Sequence, residues 1–380
     1  MSMHHQLERT ITAEQQALHD SQNRKPAKRL PGEARKYALK RAIKQFSADK
    51  GTDKAAILTY FAVLSLAPLL LAVFSILTLV LSQAADTVEN FTEDLVAQTV
   101  PTEYQDLALD LVNTMTESAT GGIIALIIGT VVALWSASKY VQAFSRNLNS
   151  IYGVVEGRSM IKFYLSMLGI TLIMVITVVL ALVSLALNAT IVETVFAPIA
   201  QVVGAQGILT TLTETFLPIW QWLKYPVVLA LIIIMLGVLY HFSPNVERRF
   251  KLFTIGAIVA VIGIILAGIA MGIYLTYFAS YSSYGAIGTV MAVLFVMWIF
   301  NIVIILGAEI DVELLRARQL VGGIAAEEHV QVRPRSVATV EKKADKHVES
   351  VKDGKVLRRS MSVLEEDDQG TERSGSSVRS

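Results

Sequence analysis

Cysteine is absent from the 380 residues, which excludes disulfides, thiol catalysis and cysteine-held metals. Charge is scarce as well. Only 17% of the residues are Asp, Glu, Lys or Arg, against 53% hydrophobic, whereas soluble domains carry about 25% charged residues. The charge that exists avoids six apolar runs, at 55–82, 122–138, 163–187, 226–240, 252–278 and 285–309, whose centres contain no Asp, Glu, Lys or Arg. The lack of a titratable group at mid-depth argues against a proton-driven pump of the usual kind, which needs such a relay. No cleavable signal peptide is expected, because the first run starts only at residue 55 behind a basic tail. That run serves as its own insertion signal.

What the chain does have is length of apolar sequence. A bilayer core about 30 Å thick is crossed by a helix of some 20 apolar residues, and most of the runs reach that length. Two are short, 122–138 and 226–240, and the second becomes adequate once part of 216–225 is added. A soluble fold would have to bury six helices apolar on every face. The basic residues then set orientation. Of 33 Lys and Arg, 32 fall in the two tails and the second and fourth loops, and only Lys224 lies in the first, third or fifth loop. By the positive-inside rule both termini are cytoplasmic. The expected fold is all-α, a polytopic membrane bundle of six transmembrane helices in a bacterial cytoplasmic membrane.

Around that membrane domain (55–315) the sequence has three further parts, and a fourth lies within its first outer loop. Residues 1–30 are polar and mixed in charge, and are expected to be a disordered tail. Residues 31–54 interleave Arg35, Lys36, Lys40, Arg41, Lys44, Lys50 and Lys54 with Leu39, Ala42, Ile43 and Phe46 at helical spacing. That pattern predicts an amphipathic helix on the anionic inner leaflet, with lipid as its partner. Nucleic acid is excluded as a partner, since no aromatic or glycine-rich RNA motif accompanies the charge. The first outer loop, which has eight acids, is expected to form a helical hairpin over 86–118 broken at Pro101. The segment 322–380 has no Phe, Trp or Tyr and is expected to be a disordered cytoplasmic tail.

Within the runs, Pro68 should kink the first span, with Ser65 one turn upstream to bond a freed carbonyl. Gly256, Ala260, Gly263, Ala267 and Ala270 form a stripe of small residues, a packing seam against another span of the chain or against a second copy. A homo-oligomer is therefore left open. After the second run, the polar-aromatic stretch to Tyr152 reads as an inward extension of the helix, turning at Gly153.

Several stretches resemble the YihY/BrkB family of bacterial inner-membrane proteins. They are Lys54 to Phe61 running into Ser65-Leu66-Ala67-Pro68, Trp135-Ser136-Ala137-Ser138 with Asn147, Asn149 and Tyr152-Gly153, and Tyr240-His241-Phe242-Ser243-Pro244-Asn245. Tyr281 to Gly285 and Leu306-Gly307-Ala308-Glu309 complete the set, which covers roughly residues 45 to 320 in order. The resemblance implies six spans with both ends cytoplasmic, in a family once labelled ribonuclease BN and suspected of a transport or envelope-lipid role. A metal-dependent nuclease needs clustered His and Asp ligands. The six histidines here are scattered: His4, His5 and His19 in one tail, His329 and His347 in the other, and His241 at a span end. The ribonuclease reading is therefore rejected. No nucleophile–base pair supports another enzyme, and no cofactor or metal is called for.

The ionisable candidates sit at inner span boundaries. They are Asp53 at the first span, Lys139 leaving the second and Glu309 leaving the sixth, with a Glu309–Lys139 or Asp53–Lys139 pair as either brace or substrate site. Arg146 and Arg158 are candidate contacts for a lipid phosphate, a placement that the inward charge bias alone also explains. Asn301 lies two turns from Glu309, and either lines a polar cavity or bonds another helix. With Ser65, Pro68, Asn147 and Tyr284 these residues mark the expected site. The function read from them is a transporter or flippase-like protein for an envelope lipid or other amphiphile. The alternative is a non-catalytic scaffold for envelope-synthesis partners. Transport calls for a polar cavity near Ser65, Asn301 and Tyr284, and a scaffold calls for a close-packed bundle.

Overall fold

The computed structural model describes residues 25–80, 122–187, 211–277 and 285–376, together with isolated positions at Leu7, Thr10, Thr12, Gln105 and Leu109. Regular structure among the described residues is helical: α1 (Gly32–Ala48), α2 (Gly51–Val80), α3 (Gly122–Tyr152), α4 (Met160–Ala186), α5 (Leu217–Phe242), α6 (Ile255–Tyr277), α7 (Gly285–Val321) and α8 (Val340–Ser376). A π-helical turn, Thr211–Phe216, leads into α5. The all-α expectation holds. The hairpin expected over 86–118, Tyr284 and most of residues 1–24 lie outside the described residues.

Four helical stretches are long and apolar enough to cross a membrane: Met160–Leu185, Thr213–Phe242, Ile255–Tyr274 and Val290–Val321. Little of each is buried in the protein. Leu165, Leu172, Ile176, Leu180 and Leu182 of α4, and Ile262, Leu266, Ile269 and Ile273 of α6, are all exposed. Apolar surface of that extent is what a lipid solvent requires and water does not tolerate. Helices α2 and α3 have 30 and 31 residues, about 45 Å each at 1.5 Å per residue.

Helix α2 packs on α3, α4 on α5, and α7 on α1, α2 and α6. The core concentrates at one end of this bundle, around Leu58, Phe144, Leu148, Leu239, Tyr240 and Ile305, all essentially inaccessible. Phe144 stacks between Tyr140 and Tyr240, with ring centroids 6.5 and 6.1 Å away. Small residues bring α6 and α7 together. A Cβ added at Gly256 would land on the Gly307 carbonyl, one at Gly307 would meet the Gly256 carbonyl, and one at Gly263 would press on Val303. The small-residue seam therefore faces another helix of the same chain. Gly268 and Gly272, beside it, have open space where a Cβ would go.

Two helices end in the same way. Helix α3 closes at Gly153, φ 66°, with Gly153 N–H donating to Ser150 O at 3.0 Å and Val154 N–H to Asn149 O at 2.9 Å. Helix α7 closes at Gly323, φ 76°, with matching bonds to Leu320 O and Gln319 O. Both are Schellman closures, which need a left-handed residue and favour glycine there. The predicted turn at Gly153 is this one. Helix α7 runs twelve residues past the expected end of the sixth apolar run, because the stretch after Glu309 keeps burying residues: Ile310, Leu314 and Ala317 pack on α1.

One expectation is refined at this end and one is corrected. Helix α1 does form, but Ala38 and Ala42 are its buried strip, set against α7, while Leu39 and Ile43 are exposed. Small side chains permit the close approach, and that leaves the larger ones outward. The chain after Gly322 is also not structureless. Residues 324–339 are laid across the polar end of the bundle as a strap, with Glu247 N–H donating to Arg333 O and Arg335 N–H to Asn245 O around a Val246–Pro334 bridge. Helix α8 follows. Backbone hydrogen bonding and buried Ala326, Val330 and Val332 supply the order that composition alone did not reveal.

Candidate functional site

Of the described candidates, Asp53, Ser65 and Pro68 belong to α2, Lys139 and Asn147 to α3, and Asn301 and Glu309 to α7. Asn301 of α7 is 4% exposed and fully engaged. Its Oδ1 accepts from Tyr140 Oη of α3 at 2.9 Å, and its Nδ2 donates to Thr59 Oγ1 of α2 at 3.1 Å and to Met297 O at 2.9 Å. The trio is a rung joining three helices. Of the two roles open to Asn301, it takes the interhelical bond. Ser65 donates to Ala62 O at 2.7 Å, not to the Leu64 carbonyl that Pro68 leaves without its amide partner. Pro68 lies inside α2, which continues through it.

Farther along α7 come three acids. Glu309 is fully buried, and neither carboxylate oxygen has a hydrogen-bond partner among the described residues. Asp311 Oδ1 accepts the Gly256 N–H at 2.8 Å, closing the first turn of α6 with a carboxylate. Glu313 lies between two arginines, with Arg41 Nε of α1 and Arg316 Nε each 3.0 Å from Oε2. Arg316 also donates to Ala326 O at 2.8 Å, tying the start of the strap to α7. On α2, Lys54 Nζ is 3.8 Å from Asp49 and donates to Ser150 Oγ of α3 at 3.3 Å.

The polar end itself is a closed network. Arg158 makes a bidentate pair with Glu156, both bonds 2.7 Å, and its Nη2 also donates to Ser243 O at 2.8 Å and Ser145 Oγ at 3.3 Å. Asn149 Nδ2 donates to Glu156 at 3.0 Å, while its Oδ1 accepts the Asn245 N–H at 2.7 Å. Asn245, wholly buried, is the hub. Its Nδ2 donates to Val155 O and Ser336 O at 3.0 and 2.8 Å, and its Oδ1 accepts Ser336 N–H at 3.1 Å. Arg335 donates to the carbonyls of His241, Phe242 and Val246. Arg248 bonds Tyr152 Oη at 2.7 Å and Tyr240 O at 2.8 Å. Buried polar groups are tolerable only when satisfied in this way.

Set against the sequence reading, Asn301 joins α2, α3 and α7, Glu309 and Asn147 are both buried, and other candidates stay apart. Asp53 is exposed at the start of α2. Lys139 pairs with neither Asp53 nor Glu309. Its ammonium lies over the stacked rings of Trp135 and Tyr164, 5.2 and 5.7 Å from their centroids, because that aromatic surface is what α3 and α4 offer it. Arg158, a candidate for a lipid phosphate, is occupied by Glu156. Arg146 is exposed. Sequence reasoning missed Glu156, Asn245, Glu313 and Arg316 as network members. The i, i+3 spacing of Glu313 and Arg316 was a legible signal for one pair; the Asn245 hub depends on a strap that no periodicity reveals.

Comparison with known proteins places the geometry in a family. Residues 42–330 match the family described as "Virulence factor BrkB". The chain is 30% identical over 283 residues to a protein of Bacillus subtilis (strain 168) named "Putative ribonuclease-like protein YfkH", covering 74% of this chain and 96% of that one. No solved structure matches. The chain belongs to the BrkB family and, with its apolar helices, is a multi-pass membrane protein.

Proposed function

We propose that this protein crosses a bacterial cytoplasmic membrane six times with both termini in the cytoplasm, and moves an envelope lipid or other amphiphile along the α2–α3–α7 seam as a transporter or flippase-like protein. The observation that carries this reading is the presence on α7 of both a satisfied polar rung, Asn301–Tyr140–Thr59, and a fully buried carboxylate, Glu309, that has no hydrogen-bond partner among the described residues. Intramembrane polar groups of this kind are costly and usually serve a path. The rung is closed in this structure, so transport requires α3 and α7 to part at Tyr140–Asn301. The assay is reconstitution into vesicles with a fluorescent phospholipid, alongside lipid profiling of a deletion strain. Faster exchange between leaflets and a shifted envelope-lipid profile are expected, and the reading is dropped if neither changes.

Topology has its own test, made simple by a chain without cysteine. A single cysteine at Thr114 should be labelled from outside the cell by an impermeant maleimide, and one at Ser2 or Ser380 should not. Labelling of either terminus in intact cells ends the six-span reading. The exposed side of α1, with Tyr37, Leu39 and Ile43 beside Arg35, Lys36, Lys40 and Lys44, is taken as a contact with anionic lipid.

The second reading, a scaffold, is favoured by the strap, which fixes the approach to α8 while leaving Val348, Val351, Val356 and Leu357 exposed. Deleting 340–376 separates the two: a scaffold loses function and a transporter keeps its flux. Ribonuclease activity is part of the YfkH name, and for this chain we take the protein to be no enzyme. Cleavage of RNA by purified protein with Mn²⁺ or Zn²⁺ that exceeds a metal-only control overturns that.

A further inference from the structure

Two buried polar groups at the polar end of the α2–α3–α7 seam have no hydrogen-bond partner among the described residues: both oxygens of Glu309 and the Nδ2 of Asn147. Glu309 is 0% exposed and Asn147 9%. They lie at nearly the same depth. Tyr140 of α3 bonds Asn301 of α7, and Phe144 of α3 stacks on Tyr240, whose hydroxyl bonds Ile304 O of α7. The two helices therefore run in the same direction. Asn147 is three residues beyond Phe144, and Glu309 five beyond Ile304, so at 1.5 Å per residue their levels differ by about 3 Å. Asn147, seven residues past Tyr140, also returns to the face of α3 that meets α7.

The cations near Glu309 are engaged elsewhere. Asp49, Lys54, Glu313 and Arg316 are the charged groups whose fields act on it. Arg41 and Arg316 both serve Glu313, and Lys54 serves Asp49 and Ser150. A carboxylate buried without partners is too costly to keep ionised, so a cation or proton must accompany it. Glu313, one turn along the same helix, shows how this chain provides for a carboxylate that only braces: two guanidiniums within 3.0 Å. Asn147 contributes an adaptable group. A half-turn of its amide exchanges the orphaned nitrogen for an oxygen, which ligates cations.

We propose that Glu309 and Asn147 form a site for a monovalent cation, either a small inorganic ion or the primary ammonium of an amphiphile's headgroup, and that Lys54 is a tethered ammonium competing for it. The site deepens the transport reading and rests on it for its purpose, though not for its existence. Lys54 stands one helical turn along α3 from Asn147, on Ser150, and gives up only a 3.8 Å pair with Asp49 and one hydrogen bond to swing inward. In the absence of another cation Lys54 neutralises Glu309, and an incoming cation returns it to Asp49 and Ser150.

The test uses the full chain in lipid nanodiscs, with thermal unfolding followed at constant ionic strength in sodium, potassium or methylammonium chloride. Choline chloride, whose quaternary ammonium has no N–H to donate, is the reference. Wild-type protein is expected to melt at a higher temperature, saturably, in at least one of the three salts. Glu309→Gln removes the difference. Lys54→Met, which deletes the competitor, lowers the half-saturating concentration about tenfold, one decade of affinity. A response to sodium or potassium without methylammonium assigns an inorganic ion, and the reverse assigns a headgroup ammonium. Identical melting in all four salts overturns the proposal, and so does a cation response that survives Glu309→Gln. Should the Gln variant fail to fold, the Lys54→Met arm decides, and an unshifted or weakened response overturns the site. Cation binding without lipid movement sinks only the transport reading. Lipid movement without cation binding sinks only the site.

Discussion

Replacing Asn245 by Ala should release the strap while leaving the helices in place. The side chain is 0% exposed and makes three hydrogen bonds, to Val155 O, Ser336 O and Ser336 N–H, at 3.0, 2.8 and 3.1 Å. Each such bond contributes about 1 kcal/mol net, and a partner left unsatisfied in a buried place costs about 1–3 kcal/mol more. Because Ser336 is only half-buried, its groups regain water once the strap lifts, and the loss should total about 2–4 kcal/mol. With 1.4 kcal/mol to a decade, the open population rises by some one and a half to three decades. Hydrogen–deuterium exchange in nanodiscs reads this directly at residues 333–339. The rate there should rise by about that factor, while α3, α5 and α7 keep theirs. Asn245→Asp should do at least as much damage, since its second oxygen would face the carbonyls of Val155 and Ser336 where an amide now donates. Unchanged exchange at 333–339 in both variants would refute the hub assignment, as would loss of protection spread evenly through the bundle.

Arg158→Lys should destabilise the polar end by about 2 kcal/mol, because an ammonium cannot make the bidentate pair with Glu156 and still reach Ser243 O; a Glu156→Gln double-mutant cycle measures the coupling. Gly256→Ala should cost about 1–3 kcal/mol by pushing α6 off the Gly307 carbonyl, whereas Gly268→Ala, with open space at the Cβ, should be neutral or slightly stabilising in the same melting assay. Tyr140→Phe deletes one bond to Asn301 and should cost only about 0.6 kcal/mol in stability. If the rung is a gate, the same variant speeds lipid exchange, and an unchanged rate removes that role.

The parts of this fold legible in the sequence are those set by composition along a single helix. The apolar runs located α4 to α7, the turn at Gly153 came from a glycine after a polar-aromatic stretch, and the stripe from Gly256 to Gly263 is a seam because small residues have few other uses in such a helix. What composition could not convey is pairing at a distance. Lys139 looked like a partner for Glu309 because opposite charges at span ends usually meet, yet the nearer surface, Trp135 and Tyr164, takes it. The strap was invisible for a similar reason. Its sequence is mixed in polarity, has no Phe, Trp or Tyr and shows no helical period, and its order comes from carbonyls and amides of loops more than 80 residues away. Glu309 is legible as a charge at the end of an apolar run, but its lack of a partner among the described residues is a property only of the assembled helices.

Glu309 and Glu313 make the strongest argument about where this molecule is built to change. Both are buried on α7, one turn apart, and both face the end of the bundle where arginines are plentiful. Glu313 is held by two of them, Asp311 caps α6, and Asn245 and Arg158 bind the loops and the strap into one satisfied network. The end of the bundle is therefore braced without any help from Glu309. A carboxylate that is not needed for bracing, yet is kept where burial is expensive, is retained at a cost to stability of the native state. Such a cost persists where a group acts during function. The rung above it supports the same conclusion. Asn301 bonds both α2 and α3, and on the transport reading these bonds must break first, at about 0.6 kcal/mol each. A weakly latched seam beside a buried carboxyl group is easier to open than the network at the polar end. Motion, if it serves transport, should therefore appear as α3 separating from α7 around Tyr140, with residues 333–339 still protected from exchange.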